Sequence, residues 1–322
     1  MINNLTSEQI EKIKEALRKE GFSVPDNLFQ VNSNHHLESP FKYISVSEIK
    51  AKISKFHQLD LRNITDNELG EAISEVMNIE VDGLKMHTFY PSFVNYDTGT
   101  RFYRIRPFPL DQKEMVQFAQ IGAYWNPPIE KVTHPGRLNK IHESLLYTST
   151  NPYTAVAEMK IQDHQIFVLI IYETIRPIKA TIIGASNNIP TLSEEDNIKF
   201  KFYNYFLREE FTKEVPHGSE YLYKVSEYIA KSYFDLPPKD VQDAWVYPSV
   251  ATKGGYNICF RPDIAKESLK LVGALFCSVI NFKNNPSFKC YYIATFNVEN
   301  KFAFSPYDIN KIKELFPEFM QL

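Results

Sequence analysis

An α+β architecture is the fold class this sequence predicts, and three observations predict it. The first hundred residues carry helical apolar periodicity behind capping boxes; from Thr100 onward short apolar runs are broken by Pro, Gly and Asn. Helical stretches interrupt those runs without alternating with them, which favours α+β over a doubly wound sheet.

Taken in order, Thr6 with Gln9, Ser45 with Glu48 and Thr65 with Glu68 each have capping-box spacing. Each precedes an apolar stripe: Ile10, Ile13 and Leu17, then Ile49, Ile53 and Phe56, then Leu69, Ile73 and Val76. Gly21 is a suitable stop for the first helix. These helices are read as a small N-terminal unit, residues 1–97, ahead of a larger domain, residues 98–322. In the larger part, strands are expected at Phe102–Arg106, Ile166–Tyr172, Ala180–Ile183, Ala244–Tyr247, Tyr256–Phe260, Leu275–Phe282 and Cys290–Phe296, with another ending at Leu145–Tyr147. Helices are expected at Pro152–Ile161, Glu194–Phe211 and Ser219–Phe234, and a last one opening at Ser305–Pro306. Gly254–Gly255 has the look of a hairpin turn.

Composition narrows the function classes. The 322 residues are 43 % hydrophobic and 23 % charged, with a net charge of -3, an ordinary globular balance. Three short helices invite a DNA-reading interpretation, but residues 1–95 hold ten Lys and Arg against fourteen Asp and Glu. That excess of four negative charges repels a phosphate backbone, so no direct nucleic-acid binding is expected. The apolar runs 166–172 and 271–280 are too short to span a membrane. MINNLTSEQI has neither a signal nor a transit pattern, and Cys259, Cys277 and Cys290 are odd in number and far apart. Reduced, buried thiols in a cytoplasmic protein are the expectation. No CxxC, HExxH, GxGxxG or P-loop occurs, and His35–His36 falls in polar sequence, so no metal is expected.

What remains is an ordered set of polar residues in apolar surroundings. Arg104 lies in FYRIRP, Arg137 in GRLN with Asn139 two residues on, Tyr147 in LYTS, Glu158 in TAVAEM and Ser249 in YPSV. Burying a charge without a partner costs several kcal/mol, so two arginines and a glutamate beside packed apolar neighbours imply something anionic held there. A guanidinium suits phosphate or carboxylate. Each residue also has a plain structural reading: Arg137 in a surface ion pair, Glu158 paired with an arginine, Ser249 capping a turn. Ser249 lacks a GxSxG elbow and a His and Asp at triad offsets, which argues against a nucleophile.

As an ordered whole, Arg104, GRLN, LYTS, Glu158 eleven residues beyond Tyr147, and YPSV followed by a strand resemble the RES domain, named for its Arg, Glu and Ser. The resemblance covers roughly residues 100–300 and leaves the N-terminal unit without an inferred role. It implies an ADP-ribosyltransferase-like fold, a split antiparallel β-sandwich with peripheral helices around an NAD cleft. It further implies a toxin that degrades NAD by hydrolysis or phosphorolysis, many such toxins being neutralised by an Xre-like antitoxin. NAD is then substrate rather than cofactor, with inorganic phosphate as an alternative acceptor. By the same resemblance Arg104 and Arg137 face the anionic or ribose portion of NAD, with Asn139 beside them. Tyr147 lines the nicotinamide pocket, Glu158 is the central acid and Ser249 touches substrate. Lys253, Arg261 and Arg106 are the further cations available for a phosphate. Two departures stand out: Leu138 replaces a frequent Trp in the GRWN pattern, and the stretch between Glu158 and Ser249 is long. Transfer of ADP-ribose to a macromolecule and a non-catalytic NAD-binding module are the alternatives.

Overall fold

Two of the expected capping boxes close as their spacing requires. Ser45 and Thr65 each accept the N–H of the residue three on, and Glu48 and Glu68 each accept the cap's own N–H. They start α2 (Val46–Phe56) and α3 (Asp66–Met77), which follow α1 (Ser7–Lys19). The computed structural model describes residues 7–19, 39–81, 83–108, 120–236, 238–280, 287–296 and 302–317. Thr6, Gly21, His35, His36 and the Phe282 end of one expected strand lie outside the described residues.

The side chains of Ile10, Ile13 and Leu17 lie outside the described residues. The stripes of α2 and α3 face the core, with Ile49, Phe56, Leu69, Ile73 and Val76 buried and Ile53 packed against them. They pack into one cluster with Phe200, Tyr203 and Phe206 of a later helix, α5 (Glu194–Thr212). A hairpin of β1 (Asn78–Val81) and β2 (Leu84–His87) follows α3, and β3 (Ser92–Tyr96) joins the main sheet. Strand structure therefore begins before residue 98. Neither β1–β2 nor β3 was expected, because four- and five-residue strands in mixed polar sequence carry too short a pattern.

The chain is α+β. The remaining strands are β4 (Arg101–Pro107), β5 (Leu146–Ser149), β6 (Ile166–Thr174), β7 (Ile178–Ile182), β8 (Ala244–Pro248), β9 (Tyr256–Phe260), β10 (Leu269–Ile280), β11 (Ser287–Phe296) and β12 (Phe302–Pro306). Among the described residues ten strands form one sheet in the order β12-β11-β10-β6-β4-β5-β9-β8-β7-β3. It departs from a purely antiparallel design at β7–β8, which run parallel. One junction is thin: β4 and β5 share a single register pair, Tyr103 with Ser149, whereas β4 meets β6 over seven. Two five-stranded halves thus meet at a seam.

The helices set around the sheet are α4 (Pro152–Glu158), α5, α6 (Tyr223–Ile229), α7 (Pro262–Ser268) and α8 (Ile309–Leu315). Three expectations are corrected. The helix from Pro152 ends at Glu158, not Ile161, because Lys160 adopts a left-handed φ of 51°. The stretch 219–234 is not one helix but a 3₁₀ turn, α6 and a π-helical turn at Ala230–Phe234. Ser305–Pro306 does not open the last helix but ends β12, where an edge strand tolerates proline, and Asp308 caps α8 instead by accepting the N–H groups of Asn310 and Lys311. Gly254 takes φ 80° in the β8–β9 loop, as its hairpin role requires.

Candidate functional site

Where the seam opens, a cleft of about 370 Å³ forms, within the usual size of ligand sites. Tyr103, Arg104, Ile105 and Arg106 of β4 line it, as do Tyr147, Thr148 and Ser149 of β5, Glu158 of α4, Tyr247 of β8 and Asn257 of β9. A larger cavity of about 500 Å³ lies between α3, the β1–β2 hairpin and Tyr228. None of the predicted site residues lines that one, whereas Arg104, Tyr147 and Glu158 line the smaller space.

Glu158 is its central feature. As the last residue of α4 it sits at the negative end of a helix dipole, an unfavourable place for a carboxylate. Three donors compensate, and all converge on one oxygen: Oε1 accepts Ser249 Oγ at 2.5 Å, Val250 N at 3.0 Å and Asn257 Nδ2 at 2.8 Å. Hydrogen bonds to a charged group are worth about 1.5–3 kcal/mol each, so the carboxylate is held firmly. Oε2 has no hydrogen-bond partner among the described residues. One oxygen is anchored and the other remains free at the wall of the cleft.

The anchor is itself built from the β8–β9 hairpin. Ser249 Oγ also accepts the N–H groups of Ala251 and Thr252, at 3.1 and 3.0 Å, which folds the loop around its hydroxyl. Asn257 is oriented by Ser149, whose Oγ donates to Asn257 Oδ1 at 2.6 Å. Register places Ser149, Asn257 and Tyr247 side by side across three strands. Ser249 is thus fully engaged in hydrogen bonds and reaches the cleft through Glu158 rather than as a lining residue.

Tyr147 does line the cleft, but its hydroxyl turns inward. It donates to Asn139 Oδ1 at 2.8 Å and accepts the N–H of Leu138 at 3.0 Å. The GRLN turn is thereby fastened to β5. A Cβ on Gly136 would lie 2.4 Å from Asn139 Oδ1 and 3.1 Å from the Tyr147 hydroxyl, so any larger residue there would have to displace this hydrogen-bonded pair. Asn139 is buried and bonded within this turn, so it shapes the loop and does not line the cleft. Burial pushes the phenols of Tyr147 and Tyr247 well above their ordinary value, and both remain proton-bearing hydroxyls.

The two arginines are placed differently. Arg104 shares a strand face with Phe102 and Arg106, opposite to that of Tyr103 and Ile105, and lines the cleft at the edge of β4 along the seam. Its guanidinium donates to the Trp125 carbonyl, and its charge partly offsets the burial that raises the Tyr172 phenol. Arg137 is not a lining residue. It donates to the Lys213 carbonyl at 2.7 Å, with its guanidinium 5.4 Å from the centre of the Tyr223 ring. Its charge nevertheless reaches the site, because the buried Tyr247 phenol is raised by burial and Cys259, lowered by Arg137 and raised by Glu158.

Of the further cations, Arg106 lines the cleft and donates to the Ala123 carbonyl at 2.6 Å, and Arg261 is bound to Asp235 and stacked on Trp245. Cys259, Cys277 and Cys290 are free thiols; Cys290, expected to be buried, is half-exposed on β11. Among the described residues no group of three or more His, Cys, Asp or Glu side chains stands close enough to hold a metal, and no helix is long and apolar enough to cross a membrane.

Sequence reasoning missed Asn257, Ser149 and Tyr247. An asparagine inside the apolar run YNICF was the available signal for Asn257; Ser149 and Tyr247 gave none before the strand register was known. No family model matches the chain, and no curated protein matches it significantly.

Proposed function

We propose that the chain is an NAD-consuming enzyme that cleaves the nicotinamide–ribose bond at the β4–β5 cleft. The observation that carries this reading is Glu158, anchored through Oε1 with Oε2 free, in a cleft shared with Arg104 and Tyr147. In the proposed reaction the C–N bond breaks and its electron pair leaves with the neutral nicotinamide. The ribose becomes an oxocarbenium ion, which Glu158 stabilises as carboxylates do in glycoside cleavage. Water then adds to the ribose carbon and loses a proton, giving ADP-ribose; inorganic phosphate adding instead gives the 1-phosphate. Tyr147 offers the departing ring an aromatic face, and Arg104 with Arg106 offers the pyrophosphate its donors.

The seam between two sheet halves agrees with an ADP-ribosyltransferase-like arrangement, and the RES resemblance adds a growth-arresting toxin with an Xre-like antitoxin as partner. Incubating the purified chain with NAD, with and without phosphate, and identifying the products tests the reading. Free nicotinamide that depends on Glu158 supports it. Label transferred to a macromolecule points to ADP-ribosyl transfer, and NAD binding without turnover points to a binding module. A Glu158→Gln variant as active as its parent would overturn the site assignment.

A further inference from the structure

The N-terminal helices have no place in the proposed chemistry, yet both partners of Arg137 lie in segments that those helices hold. Lys213, whose carbonyl accepts from Arg137, directly follows α5. Its ammonium is bound by Glu210, at 2.9 and 2.8 Å to the two carboxylate oxygens, and Glu210 is almost fully buried. On its other side Glu210 meets the end of α2, where His57 Nε2 lies 3.3 Å from Oε1. Beside this polar contact Phe56 packs edge-on against Phe206, with ring centres 5.2 Å apart.

A second arm reaches Tyr223, the ring beneath the guanidinium. Its neighbour Lys224 donates to the Ile64 carbonyl at 3.5 Å, and Tyr221, two residues before it, lies under Arg62 at 4.9 Å. The loop between α2 and α3 therefore holds the chain on both sides of Tyr223. Two separate contacts from one unit fix the two groups that Arg137 touches.

We propose that the N-terminal unit is a positioning element for Arg137, acting through His57 and Glu210 on the Lys213 carbonyl and through Arg62 and Ile64 on Tyr223. This rests on the proposed reading of the cleft, to which Arg137 is linked through its own turn, since Leu138 and Asn139 of that turn bond the hydroxyl of the lining residue Tyr147. Loosening the brace lets the guanidinium leave its fixed orientation and the turn shift under Tyr147, which weakens NAD binding and leaves the bond-breaking step to Glu158 unchanged.

Three full-length variants, His57→Ala, Arg62→Ala and Glu210→Gln, test it with two readouts. The first is nicotinamide release, where KM for NAD is expected to rise about five- to tenfold, the scale of one displaced charge-assisted contact, with kcat retained. The second is the rate at which phenylglyoxal modifies Arg137, read by peptide mass spectrometry, which is expected to increase in each variant. Combining Arg137→Ala with His57→Ala should raise KM no further than Arg137→Ala alone, since both act on the same contact. Lost folding alone would lower apparent kcat and leave KM where it was. If Glu210→Gln fails to fold, the half-exposed His57 and the exposed Arg62 still decide the matter. Unchanged KM together with unchanged Arg137 protection overturns the proposal. A parent chain that releases no nicotinamide defeats the reading of the cleft, and the phenylglyoxal rates then judge the brace without it.

Discussion

Asp235 and Glu158 are both shielded carboxylates at the end of a helical segment, and their surroundings are opposite. Asp235 is ringed by cations: Oδ1 accepts from Arg261 at 3.0 Å and Lys239 at 3.1 Å, and Oδ2 from Lys231 at 3.1 Å. Lys231 also reaches Glu143, which accepts the Lys140 N–H and so steadies the turn that carries Arg137. Glu158 has no cation among its hydrogen-bond partners, and its neutral donors load one oxygen alone. A carboxylate with both oxygens neutralised by fixed cations is a fastening. One held by neutral donors on a single side keeps its charge available at the other.

Substitution at each acid should therefore do different damage. The largest expected effect is on turnover by Glu158→Gln: about 10²- to 10³-fold slower nicotinamide release, as when one preorganised group is lost. Its thermal stability should change by less than about 1 kcal/mol, because Gln can still accept through its oxygen. Asp235→Asn should reverse the pattern, losing about 3 kcal/mol of stability in denaturant titrations at neutral pH while kcat per folded molecule is kept.

The same pair separates by pH. Burial alone would raise the Asp235 carboxyl, but Lys231 and Arg261 hold it below its ordinary 3.8. Its contribution is complete above that value and disappears as pH falls through the lower folded one. The stability gap between parent and Asp235→Asn should accordingly shrink below pH 3.8; a gap that stays constant would show that the cations do not act through the charge. Ser249→Ala is expected to be milder, slowing turnover about tenfold by removing one donor to Glu158 and loosening the loop whose N–H groups the hydroxyl accepts. The smallest effect is chemical: iodoacetamide should label Cys290 first. Its thiol is held below the ordinary value by the Cys277 S–H, while burial pushes Cys259 and Cys277 well above it and hides them until the chain unfolds.

How much of this was legible depended on the range of the interaction. Capping boxes at Ser45 and Thr65 are three-residue events, and they read directly. Long apolar strands such as β6 and β10 also announced themselves. The ends of elements did not: Ser305–Pro306 has the chemistry of a helix start, and only pairing of Pro306 with Tyr292 makes it a strand end. At the site, the residue types flagged Glu158, Ser249 and Tyr147, but not that Ser249 donates to Glu158 across ninety-one positions of sequence. Arg137 read as a ligand-facing charge, yet its observed contacts are the Lys213 carbonyl and the Tyr223 ring, both far along the chain. Asn257 left only the cue of an asparagine within YNICF, because its importance comes from strand register, which no local pattern encodes.

The lone register pair between Tyr103 and Ser149 bears on how the protein breathes. Two leaves joined by so short a stitch share little cooperative backbone, so amide protons along the inner margins of β4 and β5 should exchange with solvent sooner than those deep in β6 and β10. A molecule lodged across the gap would bridge both leaves at once. Its arrival would be written in slower deuterium uptake on the two margins together, a signature that identifies occupancy of the cleft without any knowledge of what the occupant becomes.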